Sequence, residues 1–292
     1  MFAFLWLMLL TYARLASATD SRDVTYPSPI QVRNIFLLAG QSNMSGRGGV
    51  INRTWDGVVP PESRPSTRKI LRLSARQTWV EAHEPLHKDI DVNNTCGVGP
   101  GMAFANALIQ KDSSIGVIGL VPCAVGGTKI SEWGRGSNLY NQLVRRAGAA
   151  LKGGGIITAL LWYQGESDTV VYEDAKLYKM RLERLFRHLR DDLQLPALQV
   201  IQVALASGQG AYVDVVRKAQ LGVGFALPNV QTVDAYGLAM EPDSLHLSAS
   251  AQVQLGEMLA DTFLQSLPLP IHVQSCACRT TTFHNFVFRF FT

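Results

Sequence analysis

The sequence predicts an α/β protein, a three-layer α/β/α sandwich in which helices cover both faces of a mostly parallel, five-stranded sheet. Strand-like and helix-like segments alternate along the chain, which is the order that a parallel sheet requires. The predicted strands are almost continuously apolar, as expected of strands that are buried on both faces. The chain has 292 residues, of which 47% are hydrophobic, and this length suits one large domain better than two small ones.

Apolar runs supply the predicted strands, and helical periodicity supplies the segments between them. The strands are expected at 34–39, 115–121, 158–163, 198–204 and 230–234. The helices are expected at 101–110, 139–151, 172–191, 213–221 and 249–266. The helix over 172–191 has the strongest pattern, because Leu182, Leu185 and Leu189 recur at helical spacing and arginines occupy positions between them.

One long segment, residues 46–97, departs from this alternation. Pro60, Pro61, Pro65 and Pro85 interrupt it, and no regular pattern holds across it. A stretch of this length inside a domain is usually functional or disordered. Because it follows the first strand directly, we expect it to lie over the mouth of a site.

The two ends of the chain differ from the predicted domain, which spans residues 30–268. Residues 1–18 are predicted to be a secretory signal peptide, because residues 2–10 are almost wholly apolar and a small-x-small cleavage site ends at Ala18. An N-terminal membrane anchor is the alternative, but the apolar run is short for a bilayer, so we expect no stable membrane insertion after cleavage. Residues 271–292 are predicted to form an irregular tail, because the alternation of strands and helices stops before them.

Secretion changes the interpretation of several other residues. Asn52 and Asn93 become candidate N-glycosylation sites, whereas a glycan on Asn43, which also fits the sequon, would block the serine beside it. An oxidising compartment also permits disulfides. We predict a bond between Cys96 and Cys123, because both lie in loops that should flank the site.

The charge of the chain bears on its partners. The formal net charge is +4, and no long basic run concentrates it, so the sequence gives no support for a nucleic-acid partner. The oligomeric state is not indicated by any sequence pattern.

Three polar residues at the two ends of the predicted domain form a candidate catalytic set. Ser42 follows the first strand, and Asp243 and His246 precede the last helix. A serine hydroxyl is a poor nucleophile unless a base lies within hydrogen-bond reach and a third group orients that base. Alone, Ser42 is typical of a helix cap and His246 of a structural histidine. Together they predict nucleophile, base and orienting acid.

Two loops between these residues could supply hydrogen-bond donors to an oxyanion. Gly126 and Gly127 follow the second predicted strand, and Gln164 follows the third. These loops leave the carboxyl ends of strands, where open parallel sheets place their sites. Glu166 and Asp168 could be the paired carboxylates of a glycoside hydrolase. Hydrogen bonds that orient the loop are the favoured interpretation.

A competing pattern, the H-E-x-x-H zinc signature, covers residues 83–87. Zinc binding by this signature needs His83 and His87 on one face of a helix. Pro85 lies between them and disturbs such a helix. We therefore predict no metal site and no cofactor, and keep a zinc peptidase only as a rival interpretation.

Four motifs in order carry a family resemblance. They are Gly40-Gln41-Ser42-Asn43-Met44, Gly126-Gly127-Thr128, Gln164-Gly165-Glu166-Ser167-Asp168 and Asp243-x-x-His246. The chain resembles the SGNH/GDSL-superfamily hydrolases, which have a flavodoxin-like sheet. Within that superfamily it is similar to plant carbohydrate esterases with a sialate O-acetylesterase-type domain. The resemblance covers residues 34–266.

This resemblance implies roles for the motif residues. Ser42 would be the nucleophile, His246 the base and Asp243 its partner. The oxyanion hole would consist of the Ser42 amide, Gly127 and Gln164. His87 and Glu166 are the residues expected to contact the substrate.

The implied activity is that of a secreted serine esterase that hydrolyses O-acetyl groups on carbohydrates through an acyl-serine intermediate, without a cofactor. Acetylated polysaccharide of the plant cell wall or apoplast, such as acetylxylan, is the first substrate to expect. One alternative is a polysaccharide O-acetyltransferase that uses the same acyl-serine. Another is a secreted carbohydrate-binding protein without turnover, against which the intact candidate triad argues.

Overall fold

A seven-stranded sheet forms the centre of the protein in the computed structural model, which describes residues 33–67 and 69–267. The predicted signal peptide and the predicted tail lie outside the described residues. The strands are β1 Arg33–Gly40, β2 Val50–Ile51, β3 Thr54–Trp55, β4 Ile70–Leu73, β5 Trp79–Glu81, β6 Val117–Pro122, β7 Ile156–Tyr163, β8 Gln199–Ala204 and β9 Val230–Asp234. The sheet order is β5-β4-β6-β1-β7-β8-β9, and β2 pairs with β3 in a separate two-stranded hairpin.

The predicted α/β class with a mostly parallel sheet is confirmed, but the predicted number of strands is wrong. Every neighbouring pair in the main sheet is parallel except β4 and β5, which are antiparallel. The two strands of the main sheet that were not predicted, β4 and β5, come from the segment 46–97. They have four and three residues, too few to show a period, and β4 contains a charged residue, Arg72. Arg72 is tolerated because its guanidinium pairs with Asp89 at 2.5 Å.

Apart from the short helix Ser42–Ser45, which was not predicted, the α-helices of the described residues agree with the predicted ones to within a few residues. The helices are α1 Ser42–Ser45, α2 Pro100–Lys111, α3 Asn138–Ala150, α4 Tyr172–Asp192, α5 Val213–Val223 and α6 Ala249–Ser266. Short 3₁₀ turns occupy Pro61–Ser63, Ser113–Ile115, Ile130–Trp133 and Glu166–Thr169. No helix within residues 33–67 and 69–267 combines the length and the apolar character needed to cross a membrane.

Aromatic clusters on opposite faces of the sheet define the three layers. Phe36 of β1 packs edge-on against Phe104 of α2 and Phe263 of α6. Trp162 of β7 packs edge-on against Trp133 and against Phe186 of α4. Trp162 is in register with Ala39, three residues after Phe36, and side chains alternate between faces along a strand. The two clusters therefore lie on opposite faces, and β1 runs between them at the centre.

The structure does not contain the predicted bond between Cys96 and Cys123. Both are buried free thiols, and burial raises the pKa of each to about 11. Cys96 accepts a hydrogen bond from the Arg47 guanidinium at 3.7 Å, whereas Cys123 directly follows the buried strand β6. The disulfide was predicted only because both cysteines lie in loops that should flank the site, and the location of a loop does not determine the direction of its side chains.

Candidate active site

Ser42 is placed by a close approach of two central strands. Gly40, the last residue of β1, has φ +127°, and a Cβ there would lie 2.0 Å from the Tyr163 carbonyl oxygen at the end of β7. Only glycine fits this position. The chain then turns into α1, and Ser42 is its first residue, with 5% of its surface exposed. The serine thus sits at the carboxyl end of the central strand.

His246 is placed by a turn that Asp243 closes. One carboxylate oxygen, Oδ1, accepts the amides of Leu245 at 2.9 Å and His246 at 3.0 Å, while Ser244 adopts φ 55°. The other oxygen, Oδ2, lies 2.6 Å from His246 Nδ1. On the far side of the ring, Nε2 lies 3.0 Å from Ser42 Oγ. The three predicted catalytic residues therefore form one continuous chain of hydrogen bonds.

The surroundings of Asp243 keep it ionised. Burial alone would raise the pKa of this carboxyl, but the amides of His246 and Leu245 and the His246 ring outweigh it and lower the pKa. A carboxylate beside Nδ1 favours the tautomer with its proton on that nitrogen. Nε2 is then free to accept the Ser42 hydroxyl proton, which is the arrangement that activates a serine.

Asn43, which was not predicted as a site residue, joins the loops on either side of Ser42. Its Oδ1 accepts the Leu247 amide at 2.9 Å, and its Nδ2 donates to Leu245 O at 3.3 Å. The same Nδ2 donates to Glu166 Oε1 at 2.7 Å. Asn43 is fully buried, so the sequon it begins is inaccessible in the folded protein. The Asn43 side chain is therefore hydrogen-bonded to the residues on both sides of His246.

Gln164 does not present its amide to a substrate, contrary to its predicted role as an oxyanion donor. Its Nε2 lies 2.7 Å from Asp168 Oδ2, 2.8 Å from Thr128 O and 3.2 Å from Gln41 Oε1. The two hydrogens of this amide are taken up by these acceptors. The side chain is also fully buried. Gln164 instead fixes the loop that follows β6.

Asp91 anchors the same loop from the other side. Its Oδ2 accepts from Arg47 at 2.6 Å, from Ser45 Oγ at 2.9 Å and from the Gly126 amide at 3.1 Å. The Gly126 amide is thus occupied. Gly127, at φ +76°, has open space where a Cβ would point, and its amide has no acceptor within the described chain.

Comparison with known proteins decides the family. The family model described as "Carbohydrate esterase, sialic acid-specific acetylesterase" matches residues 32–265. The chain belongs to this carbohydrate esterase family. Membership of this family identifies the protein as a carboxylic ester hydrolase in general terms, and it implies a carbohydrate substrate.

Individual relatives agree with this family. The probable carbohydrate esterase At4g34215 of Arabidopsis thaliana is 56% identical over 248 residues, which are 82% of this chain and 93% of the relative. The X-ray structure of the Arabidopsis thaliana protein AT4G34215 has a TM-score of 0.77 at 54% identity, covering 81% of this chain and 99% of that one. The crystal structure of NanS has a TM-score of 0.64 at 17% identity, covering 80% and 97%, which shows a shared fold alone.

Two predicted substrate contacts of the esterase are wrong in this structure. His87 is 1% exposed, and burial lowers its pKa to about 3, so it is neutral and enclosed. Glu166 is fully buried, and burial raises its pKa to about 7 although Asn43 donates to it. Glu166 accepts a hydrogen bond from Asn43 at 2.7 Å, and the backbone carbonyl of His87 accepts the Asp91 amide at 2.9 Å. The sequence could place them near the site but could not show their burial.

The rival zinc pattern is not assembled. The His83 side chain is 57% exposed, whereas His87 is buried, and residues 83–87 do not form a helix. No group of three or more metal-binding side chains occurs within residues 33–67 and 69–267.

A polar cavity of about 300 Å³ opens beside the candidate catalytic set of Ser42, Asp243 and His246. Asp243 and His246 form one side of it, and the segment 46–97 forms the other through Asn52, Arg53, Asn94 and Thr95. This part of the segment therefore lies at the site, as predicted. Asn52 and Asn93 are both exposed, so both predicted glycosylation sites are accessible.

Proposed function

We propose that the protein is a secreted serine esterase that hydrolyses O-acetyl groups on carbohydrates, with Ser42, His246 and Asp243 as its catalytic triad. The observation that carries the proposal is the continuous hydrogen-bond chain from Asp243 Oδ2 through the His246 ring to Ser42 Oγ, at 2.6 and 3.0 Å. Membership of the carbohydrate esterase family supports the same reaction class.

The reaction has two halves. Ser42 Oγ attacks the acetyl carbonyl while His246 Nε2 takes its proton. The imidazolium, stabilised by Asp243, then protonates the departing sugar oxygen, which leaves acetyl-Ser42. Water, deprotonated by His246 Nε2, attacks this ester; the bond between Ser42 Oγ and the acetyl carbon breaks, the imidazolium returns its proton to Ser42 Oγ, and acetate leaves.

Backbone amides supply the proposed oxyanion hole. The amides of Ser42 and Gly127 have no acceptor within the described chain, which leaves them available to a developing negative charge. The Gly126 amide is excluded because Asp91 already accepts it at 3.1 Å. Gln164 acts indirectly, because its hydrogen bond to Thr128 O fixes the loop that carries Gly127.

The substrate and its location are the finer part of the proposal. We place the enzyme outside the cell, in the cell wall or apoplast, with acetylated wall polysaccharide such as acetylxylan as substrate. Protein sequencing of the mature enzyme from a secreting host should begin at Thr19; a chain that still carries residues 1–18 would contradict secretion by signal cleavage.

One experiment tests the mechanism. Acetate release from an aryl acetate and from acetylated xylan is measured for the wild type, Ser42→Ala and the control Ser63→Ala, which removes another buried serine hydroxyl. We expect Ser42→Ala to lower kcat/KM by about 10⁴-fold or more. Equal activity in Ser42→Ala and the wild type would refute the triad.

The same assay separates the alternatives. An acetyltransferase would transfer the acetyl group to an added acceptor sugar faster than to water. A binding protein without turnover would retain acetylated xylan and release no acetate.

A further inference from the structure

The cavity beside His246 is bordered by an arginine that the proposed reaction does not use. Two arginines line the cavity, Arg47 and Arg53. Arg47 is buried and neutralised by Asp91 at 2.6 Å. Arg53 is exposed and makes no ion pair within the part of the chain that the structure describes. The negative charge of Asp243 is already engaged by His246 and two backbone amides.

Arg53 is held in place by an unfavourable turn. Asn52 and Arg53 form the turn between β2 and β3, with φ 50° and 62°. A two-residue hairpin turn of this kind favours glycine at its second position, because only glycine adopts positive φ without strain. The Thr95 hydroxyl nevertheless fixes the turn by donating to Arg53 O at 2.7 Å. A strained residue that borders a catalytic cavity points to a functional use of its side chain.

The chemistry of the lining defines the ligand. A guanidinium binds a carboxylate through two parallel hydrogen bonds, and the side-chain amide of Asn94 suits a sugar hydroxyl. A volume of about 300 Å³ is at the lower end of ligand sites, which fits one sugar unit. His246 forms the wall beside it, so the acetyl group under attack and the bound carboxylate would lie on neighbouring positions of the substrate.

We propose that Arg53 binds the carboxylate of an acidic sugar, so that the preferred substrates are acetylated polysaccharides containing uronosyl units. This inference rests on the proposed esterase function and narrows its substrate class. The carboxylate can come from the acetylated sugar itself or from a uronosyl branch next to it, and both sources present the same chemistry to Arg53.

The test uses paired substrates on the full-length secreted enzyme. Acetylated galacturonate oligosaccharides carry the carboxylate on the acetylated sugar, and acetylated glucuronoxylan oligosaccharides carry it on a branch. Each is compared with its carboxyl-reduced, neutral counterpart. We expect the wild type to favour at least one acidic substrate about tenfold in kcat/KM, mainly through KM, as for one charge-assisted contact. The preference should shrink in 1 M salt.

Variants assign the preference to Arg53. Arg53→Gln should reduce the tenfold ratio to less than about twofold. Arg53→Gly should do the same while relieving the turn, so misfolding cannot account for the loss. Arg76→Gln is the matched control, because Arg76 is exposed in the turn between β4 and β5 and does not border the cavity. Its ratio should equal that of the wild type.

The possible outcomes separate the two proposals. If the wild type shows no acidic preference for either source, or if Arg53→Gln retains the preference, the inference is wrong. If the wild type also fails to hydrolyse an aryl acetate, the proposed esterase function is wrong as well.

Discussion

Replacing Asn43 with alanine should disable the site without touching any reacting atom. The side chain of Asn43 holds the Leu247 amide at 2.9 Å, Leu245 O at 3.3 Å and Glu166 Oε1 at 2.7 Å. The first two groups flank His246 in the chain. Removing the amide leaves His246 attached mainly through Asp243, whose side chain is about half exposed.

The magnitude follows from the groups left behind. The variant leaves a buried backbone amide and a buried carboxyl without their partner, and each such loss costs about 1–3 kcal/mol. We therefore expect the free energy of unfolding to fall by about 3–5 kcal/mol, a large part of the 5–15 kcal/mol typical of a domain. The loss should be larger at pH 8 than at pH 5, because Asn43 donates to Glu166, whose pKa is about 7.

Two measurements check this expectation. Urea unfolding gives the free energy, and hydrolysis of an aryl acetate well below the melting temperature gives kcat/KM, which should fall at least about tenfold, as for a misplaced base. Asn106→Ala is the control. The Asn106 side chain makes four hydrogen bonds, to Glu62 O, Arg64 O and the amide and hydroxyl of Ser66, all in an exposed setting, so its loss should destabilise the protein less than the loss of Asn43 and should leave kcat/KM unchanged. If Asn43→Ala lost under 1 kcal/mol and kept wild-type kcat/KM, the reasoning would be refuted.

Three further changes have expected outcomes. The pKa of Glu166 is raised from 4.5 to about 7, so its contribution to the free energy of unfolding is full below pH 4.5 and is lost as pH rises through 7, a change on the order of 3 kcal/mol. Glu166→Gln should reduce this dependence of the unfolding free energy on pH, as measured by urea unfolding at several pH values. A pH dependence equal to that of the wild type would contradict the assignment. The pKa of His87 is lowered from 6.5 to about 3, so stability is full above pH 6.5 and decreases as pH falls to 3; His87→Leu should unfold at a lower pH than the wild type, and earlier acid unfolding would oppose this reasoning. Gly40→Ala should abolish folding or activity because its Cβ meets Tyr163 O at 2.0 Å, whereas Gly153→Ala, also at positive φ but facing open space, should cost only about 1 kcal/mol by thermal unfolding.

The sequence predicted those features that depend on local pattern and chain order. Long apolar runs such as β1 and β7 are buried on both faces, and their pattern is strong enough to read directly. The position of Ser42 after the first strand, and of Asp243 and His246 before the last helix, identified residues that the structure joins by hydrogen bonds of 2.6 and 3.0 Å. Neither inference required knowledge of the packing.

The failures share one physical cause, because burial and side-chain direction depend on tertiary contacts. Gln164 lies in the predicted loop, but its amide turns toward Asp168 rather than toward a substrate. His87 is 1% exposed, which no local pattern indicates. In the sequence, Asn43 is only a polar residue next to Ser42. Its hydrogen bond to the Leu247 amide joins residues 204 positions apart, which no local pattern indicates. Short strands such as β5 form only because a neighbouring strand pairs with them.

Covalent trapping of the nucleophile tests the central claim most directly. The purified enzyme is treated with an aryl phosphonate, which mimics the tetrahedral intermediate, and the modified peptide is identified by mass spectrometry. We expect one phosphonyl group per chain, attached to Ser42, with complete loss of esterase activity and no labelling of Ser42→Ala. Labelling at another residue, or full activity after Ser42 is blocked, would contradict a triad of Ser42, His246 and Asp243.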